Sequence, residues 1–371
     1  MSVSLGMPQV KKAGAPDDGQ QQTLPSRPGD AGPSLIDRFG RVATDMRLSL
    51  IDKCNLRCTY CMPADGLAWL PKELLMSAGE ITRLVRIAVG HLGVRELRLT
   101  GGEPLVRADL VDIIRGIRAN HADLPISLTT NALGLDKKAA ALKEAGLTRI
   151  NVSLDSLCPE TFAQLTRRDN LKRVLAGVDG AAAAGLGPIK INAVLMRGIN
   201  DVEAPELVSW ATHNGHELRF IEQMPLDADH GWTRKNMVTA AEVKERLSGR
   251  FDLRPDPRDR DGAPAERWEV RNPDDGALLG VIGIIASVTE PFCADCKRTR
   301  ITAEGKVRSC LFSHEETDLM ELLRSDASDV DIADRWRAAM WAKPAAHGMD
   351  HVGLDAPDFV QPERSMSAIG G

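Results

Sequence analysis

No apolar run in this 371-residue chain approaches the roughly 20 residues that a membrane-spanning helix requires. The chain also lacks a basic excess, because its formal net charge is −5, and this disfavours a general nucleic-acid-binding protein. The first 34 residues lack the charged-then-apolar pattern of a signal peptide, and their three acidic residues and single Arg disfavour a transit peptide. We therefore expect a cytoplasmic protein with neither a nucleic-acid nor a membrane partner.

Aromatic residues are absent from positions 1–34, which are rich in Pro, Gly, Gln, Asp and Ser. Such a composition buries too little apolar surface to offset the entropy cost of ordering the chain. We expect residues 1–34 to form a disordered polar tail.

Beyond this tail, strand-like apolar segments alternate with helical patterns. The strand-like segments are residues 47–51, 96–100, 126–130, 149–154, 189–195 and 218–221. Helical patterns lie between them, and the first opens with Ser77 and Glu80 at the spacing of a capping box. Six strands separated by helices predict an α/β fold with a parallel sheet. We expect this sheet to curl into a partial barrel whose chemistry lies at the carboxyl ends of the strands.

A second unit is predicted after residues 252–264, which are dense in Pro, Asp and Arg. Short strand-like segments follow at residues 267–270 and 278–286, ahead of a loop that contains cysteine. The predicted organisation is therefore a tail at 1–34, a partial barrel at 35–255 and a smaller C-terminal domain at 256–371.

Seven cysteines cannot all pair within one chain, and six of them form two triplets, which favours metal binding over disulfides. The first triplet follows the first predicted strand with the spacing Cys-x3-Cys-x2-Cys, at Cys54, Cys58 and Cys61. Thiolates bind iron–sulfur clusters and zinc. No fourth ligand lies nearby, so a 4Fe–4S cluster held here would keep one iron open, whereas a structural zinc site would be incomplete.

The second triplet has the spacing Cys-x2-Cys-x13-Cys, at Cys293, Cys296 and Cys310. This spacing fits a second 4Fe–4S cluster with one open iron. It also fits a zinc site in which His314 is the fourth ligand. Both alternatives stay open on the local sequence.

Two arginines beside this triplet, Arg298 and Arg300, lie two positions apart in a strand-like segment and therefore face the same side. Guanidinium groups bind phosphate oxygens, so the pair predicts a polyphosphate pocket, although a solvated edge strand is the alternative. Other basic residues within or beside the barrel strands would line a pocket or face solvent; they are Arg47, Arg98, Lys190 and Arg219.

The first Cys loop resembles the signature of the radical S-adenosylmethionine (SAM) superfamily, in which an aromatic residue, here Tyr60, precedes the third Cys. One strand later, residues 101–104 read Gly-Gly-Glu-Pro, which is similar to that superfamily's turn for the methionine amine. Glycines let the backbone approach a ligand, and a carboxylate receives an ammonium group. The resemblance implies a partial (βα)6 TIM-like barrel of the radical SAM type, closed by a smaller C-terminal domain. It also implies reductive cleavage of SAM to a 5′-deoxyadenosyl radical, which abstracts hydrogen from the substrate.

Further motifs resemble the GTP 3′,8-cyclase family, which begins molybdenum cofactor biosynthesis, over residues 35–371. They include residues 45–50, residues 219–224, the second Cys triplet with its two arginines, and a terminal Gly-Gly. The resemblance implies two 4Fe–4S clusters, each held by one Cys triplet. It implies conversion of GTP to (8S)-3′,8-cyclo-7,8-dihydroguanosine 5′-triphosphate.

The same resemblance implies a role for each matched residue. Contacts with SAM would come from Tyr60, Gly102, Glu103, Ser153 and Met224. Contacts with GTP would come from Arg47, Arg98, Thr129, Lys190, Arg298 and Arg300. The residues implied in catalysis are Arg298, Arg300, Gly370 and Gly371.

The family further implies an external low-potential electron donor, a homodimer, and a cyclic pyranopterin monophosphate synthase that acts on the product. Three alternatives stay open. The first is another radical SAM enzyme with an auxiliary C-terminal cluster, such as a peptide-modifying enzyme. The other two are a zinc-binding module and a ferredoxin-like electron carrier. Cys158 matches no ligand position, and we expect it to be a small buried residue.

Overall fold

The computed structural model describes residues 27–346 and 361–369, so most of the predicted tail and the terminal Gly370 and Gly371 lie outside the described residues. One twelve-stranded sheet organises this part of the chain. Its strands are β1 (Asp45–Ser49), β2 (Glu96–Thr100), β3 (Ile126–Thr130), β4 (Arg149–Ser153), β5 (Lys190–Val194), β6 (Glu217–Ile221), β7 (Asp252–Pro255), β8 (Glu266–Arg271), β9 (Leu278–Ile285), β10 (Arg298–Ile301), β11 (Lys306–Arg308) and β12 (Thr317–Asp318).

Strands β1 to β6 are consecutive parallel neighbours, and the full order is β12-β11-β10-β1-β2-β3-β4-β5-β6-β9-β8-β7. The sheet does not close, because β12 and β7 form its two ends. The partial barrel expected from the sequence is therefore confirmed.

Helices connect the parallel strands and cover their outer surface, and four more described helices follow β6. They are α1 (Ala78–Leu92), α2 (Leu110–Asn120), α3 (Ala139–Glu144), α4 (Pro159–Thr166), α5 (Leu171–Ala183), α6 (Ala204–His213), α7 (Ala240–Ser248), α8 (Met320–Leu323), α9 (Asp329–Trp341) and α10 (Met366–Ile369). The capping box of Ser77 and Glu80 forms as predicted at the start of α1. The helical patterns in the sequence did not include five of these helices, namely α4, α7, α8, α9 and α10. No helix of the described ranges is both long and apolar enough to cross a bilayer.

Alternation along the strands separates an apolar outer face from a polar inner face. On β2, Leu97 and Leu99 are buried in the core formed with α1 and α2, whereas Arg98 and Thr100 face the interior of the barrel and line cavities. The interior is therefore a polar space in which ligands can be bound.

Strands from the C-terminal third extend the same sheet on both sides. Strand β9 runs parallel to β6, with Gly283 opposite Arg219, and β10 runs parallel to β1, with Arg300 opposite Arg47. Strands from both sides of residue 255 thus share one sheet, and the domain boundary stays a prediction. The second Cys triplet is brought to the barrel by β10 and β11.

Candidate active site

A cavity of about 210 Å³ lies at the carboxyl ends of the parallel strands, and we name it the thiol cavity. All three cysteines of the first triplet line it. It is also lined by every residue that the sequence assigned to SAM, together with one assigned to GTP: Tyr60, Gly102, Glu103, Ser153, Met224 and Thr129. The structure therefore brings together residues from five separate strand ends.

The glycines of the Gly-Gly-Glu-Pro turn allow this turn to pack against the backbone of the Cys loop. Gly102 donates its N–H to the carbonyl of Ile51 at 2.7 Å. Gly101 has φ of +150°, and a Cβ there would lie 2.4 Å from the same carbonyl oxygen. A Cβ on Gly102 would lie 2.3 Å from the carbonyl oxygen of Asp52. The sequence analysis attributed these glycines to a close approach to a ligand, but the contact they permit here is with protein backbone.

Glu103 is buried in this turn and is held by three hydrogen bonds. Its carboxylate accepts from the N–H of Leu105 at 2.8 Å, the hydroxyl of Thr130 at 2.7 Å and the N–H of Asn131 at 2.7 Å. Burial nevertheless raises the pKa of Glu103 to about 7, against the lowering effect of those bonds. A cationic group bound in the cavity would favour its charged form.

The three thiols of the first triplet are poorly solvated and disfavour one another's ionisation. Burial, and next the charges of Asp155 and Cys61, raise the pKa of Cys58 well above its usual range. Burial and then Cys54 raise the pKa of Cys61 to about 12. Thiolates crowded in this way need a metal centre to stabilise their charge, so the donor set fits the cluster that the sequence predicts.

A second cavity, which we name the cationic cavity, lies along the same inner strand faces, toward the amino ends of the strands. It is lined by ten basic and four acidic side chains, although the whole chain carries a net charge of −5. Four residues that the sequence assigned to GTP line it: Arg47, Arg98, Lys190 and Arg298. On β2 and β5, the residues lining this cavity stand two positions before residues lining the thiol cavity.

Arg298 and Arg300 are buried, with 8% exposure each, and β10 lies between β1 and β11. The alternative of a solvated edge strand is therefore wrong. Burial, followed by the neighbouring Arg47, lowers the pKa of Arg98 well below its usual range. Among the arginines that line this cavity, three buried guanidinium nitrogens have no hydrogen-bond partner among the described residues: Nε of Arg47, Nε of Arg98 and Nη2 of Arg298. An anion would supply these partners and relieve the repulsion.

The second Cys triplet lies where β10 begins and β11 ends. Cys296 stands two residues before Arg298, and the antiparallel pairing of Arg300 with Arg308 brings Cys310 to the same end of β10. His314, the ligand of the zinc alternative, is exposed. Within the described ranges, no three Cys, His, Asp or Glu side chains form a group arranged to hold a metal ion.

Lys343 is a partner of this triplet that the sequence analysis missed. Its Nζ donates to Cys296 Sγ at 3.2 Å and to the carbonyl of Arg298 at 2.9 Å. Burial raises the pKa of Cys296, but Lys343 and then Arg298 outweigh it and lower that pKa to about 6. Lys343 follows the end of α9, and no pattern near it in the sequence connects it with a cysteine.

We expect Lys343→Met to reduce iron retention at the second triplet, because Cys296 would lose the cation that stabilises its thiolate. Iron bound after anaerobic reconstitution should fall from the content of two clusters toward that of one. Lys297→Met is the matched control, since Lys297 is about half exposed and pairs with Asp261. Equal iron content in both variants would contradict the role of Lys343.

The C-terminal segment 361–369 contacts both Cys loops. Ser367 hydrogen-bonds to Cys61, and Ile369 packs in an apolar cluster with Cys310. Arg364 anchors this segment through ion pairs with Glu304 and with Glu316, the latter at 2.6 Å. These four contacts could not be predicted from the sequence, where only Gly370 and Gly371 of this segment are candidates, because the partners are distant along the chain.

Cys158 is not the buried residue that the sequence analysis expected. It is partly exposed at the start of α4, and its thiol donates to Oε2 of Glu160 at 3.1 Å. The loop before α4 places it at the surface.

Known proteins resemble this chain along nearly all of its length. A family profile described as the Radical SAM superfamily matches residues 48–211, and one described as Molybdenum Cofactor Synthesis C matches residues 216–349. A GTP 3′,8-cyclase of Paenarthrobacter nicotinovorans is 72% identical over 93% of this chain and 99% of its own length. A GTP 3′,8-cyclase of Streptomyces coelicolor is 57% identical over 91% of this chain and 96% of its own length.

Among solved structures, SuiB of Streptococcus suis bound to S-adenosylmethionine aligns with a TM-score of 0.54. That alignment covers 81% of this chain and 68% of SuiB at 14% identity, so the likeness concerns the fold alone. With two close relatives spanning the barrel and the C-terminal strands, this chain belongs to the GTP 3′,8-cyclase family of the radical SAM superfamily.

Proposed function

We propose that this protein converts GTP to (8S)-3′,8-cyclo-7,8-dihydroguanosine 5′-triphosphate, the first step of molybdenum cofactor biosynthesis. The observation that carries this proposal is the succession of the thiol cavity and the cationic cavity along the same inner strand faces. A triphosphate held in the cationic cavity would direct its nucleoside toward the thiol cavity. The substrate would thus lie within one continuous polar barrel.

The chain's thiols fit two 4Fe–4S clusters, one held by Cys54, Cys58 and Cys61 and the other by Cys293, Cys296 and Cys310. When bound, the first cluster and SAM would supply abstraction of the hydrogen atom from ribose carbon 3′, and the new bond to guanine carbon 8 would be completed by one electron and one proton. The walls of the thiol cavity orient the reactants and exclude water from the reaction.

Residues around the thiol cavity would bind SAM. Glu103 would receive the methionine amine in a charge-assisted hydrogen bond. Tyr60, Gly102, Ser153 and Met224 would border the rest of the molecule, since all of them line this cavity.

Residues around the cationic cavity would hold the GTP phosphates. Arg47, Arg98, Lys190 and Arg298 line this cavity, and Arg300 is buried beside Arg47. Thr129, which lines the thiol cavity, would contact the nucleoside end of GTP. Arg298, Arg300, Gly370 and Gly371 would also act in catalysis, and the segment before these glycines borders the thiol cavity through Met366 and Ser367.

The proposed reaction needs partners of defined kinds. An external low-potential donor would supply electrons, and a cyclic pyranopterin monophosphate synthase would consume the product. We also propose a homodimer that works in the cytoplasm, where the free state of all seven cysteines would be maintained.

An anaerobic incubation of the reconstituted protein with GTP, reductant and SAM tests the proposed function. We expect 5′-deoxyadenosine and a cyclised nucleotide to form together, and neither to form without reductant. ATP in place of GTP is the matched control, because it has the same phosphates but a different base. Formation of 5′-deoxyadenosine without any cyclised nucleotide would point to another radical SAM reaction.

Glu103→Gln is expected to weaken SAM binding by roughly tenfold or more, because a neutral amide cannot form the charge-assisted bond to the amine. The raised pKa of Glu103, about 7, adds a pH dependence. Affinity of the wild type should rise between pH 6 and pH 8 as the carboxyl group loses its proton, and the variant should lack this rise. Equilibrium binding under anaerobic conditions measures both effects, and a variant with the wild-type pH profile would exclude Glu103 from the amine site.

A further inference from the structure

Tyr60, the only tyrosine of the chain, makes a partly buried side-chain hydrogen bond across the barrel. Its hydroxyl donates to Oδ2 of Asp155 at 2.6 Å. Tyr60 lies in the Cys loop after β1, whereas Asp155 lies in the loop after β4, so the bond joins two distant strand ends. Asp155 is 5% exposed, and its other oxygen accepts from the N–H of Val194 at 2.8 Å. Both carboxylate oxygens are therefore engaged, one with the Cys loop and one with β5.

The segment from the end of β4 through α4, which contains Asp155, also holds the rest of the Cys loop. The N–H groups of Arg57 and Thr59 donate to the last carbonyls of α4, at 3.0 and 2.9 Å. Arg167, which follows α4, donates to the carbonyl of Met62 at 2.8 Å. All three of these bonds use backbone atoms of the Cys loop, so they do not depend on the side chains of the loop. The bond from Tyr60 to Asp155 is the loop contact in this region that depends on the side chains at both ends.

The electrostatics of the pair make this a strong bond. Burial raises the pKa of Asp155 to about 6, so the group is mostly a charged acceptor above neutral pH. A hydrogen bond to a charged acceptor is about twice as strong as a neutral one.

We propose that Asp155 is a positioning residue, which holds the Tyr60 phenol and thereby fixes the loop segment from Cys58 to Cys61 in the orientation that binds SAM. The proposal rests on the proposed function, because SAM binding is what the loop orientation serves. Asp155 also lines the thiol cavity, but in this role it acts through Tyr60. Its loss should therefore affect SAM binding rather than GTP binding.

The test compares Tyr60→Phe, Asp155→Ala and their double variant as reconstituted full-length holoenzymes. We expect each single variant to raise the Kd and the KM for SAM about tenfold and to leave the KM for GTP unchanged. The double variant should lose no more than Asp155→Ala alone, since the bond from Tyr60 is already absent in that variant. Independent, multiplicative losses in the double variant would overturn the proposal.

Asp155→Asn is the matched conservative variant. Its amide oxygen can accept from Val194 while its NH2 group donates to the phenol oxygen, so we expect SAM affinity to recover most of the loss seen in Asp155→Ala. Ultraviolet resonance Raman spectra provide a readout that is independent of activity, because every tyrosine band arises from Tyr60 alone. The bands should report a donating hydroxyl in the wild type and a changed hydrogen bond in both Asp155 variants. Unchanged bands in Asp155→Ala would overturn the proposal.

Two features of the test separate failure of this proposal from misfolding of a variant and from failure of the proposed function. If Asp155→Ala does not fold, Tyr60→Phe decides, because it keeps the bond between Asp155 and Val194; wild-type SAM affinity in Tyr60→Phe would overturn the proposal. SAM affinity is measured without GTP. A wild type that binds SAM but does not cyclise GTP would reject the proposed function, while a tenfold weaker affinity in Tyr60→Phe would still support the role of Asp155.

Discussion

Cys54→Ser is expected to abolish formation of 5′-deoxyadenosine from SAM. Cys54 lines the thiol cavity with Cys58 and Cys61, and no fourth cysteine is near enough in sequence to replace it. A serine hydroxyl has a much higher pKa than a thiol and is a hard ligand, so it does not substitute for a thiolate at iron. Chromatography of anaerobic reactions should detect neither 5′-deoxyadenosine nor the cyclised nucleotide.

The chain offers a matched control in Cys158→Ser. Cys158 belongs to neither triplet and lies partly exposed at the start of α4. We expect this variant to cleave SAM at the wild-type rate. In Cys54→Ser, electron paramagnetic resonance should still detect the cluster held by the second triplet. Cleavage of SAM at the wild-type rate by Cys54→Ser would remove Cys54 from the ligand set.

Arg298→Ala should produce the second large effect, a loss of GTP affinity. Arg298 is 8% exposed, and its Nη2 has no hydrogen-bond partner among the described residues. Charge-assisted bonds to phosphate contribute about 1.5–3 kcal/mol, which corresponds to a roughly 10- to 150-fold increase in Kd. Titration calorimetry of GTP binding to the anaerobic protein measures this change.

Arg115→Ala is the matched control for this variant, because Arg115 is an exposed residue of α2 that pairs with Asp112. We expect its GTP affinity to equal that of the wild type. Iron content is measured in both variants, because Arg298 also lowers the pKa of Cys296, and affinity is compared at equal cluster content so that a lost phosphate contact is separated from a damaged cluster. Unchanged affinity in Arg298→Ala would place the triphosphate outside the cationic cavity.

Local patterns predicted the barrel closely. The second and third predicted strands, 96–100 and 126–130, have the bounds that the structure gives β2 and β3. Alternation along a strand and capping at a helix start are set by neighbouring residues, so they can be read within a short window. The sequence patterns did not predict the short helix α4, whose last carbonyls hold the Cys loop.

Long-range contacts account for what the sequence analysis could not predict about the site. Lys343 meets Cys296, Asp155 meets Tyr60, and Arg364 meets Glu304 only after the sheet has formed. None of these residues stands in a motif with its partner. Whether a buried charge has a partner depends on which strand ends the fold brings together.

The strands of the partial barrel, the two Cys triplets, the Gly-Gly-Glu-Pro turn and the arginine pair of β10 could all be predicted from the amino-acid sequence. Spacing along the chain expresses these features directly, because ligand loops and alternating strand faces are local. The tertiary structure decided that the basic residues face one another inside the barrel, that β10 is an interior strand, and that Asp155 and Lys343 support the two Cys loops. These are consequences of strand order and of the curvature of the open sheet, which bring together residues that no local pattern relates.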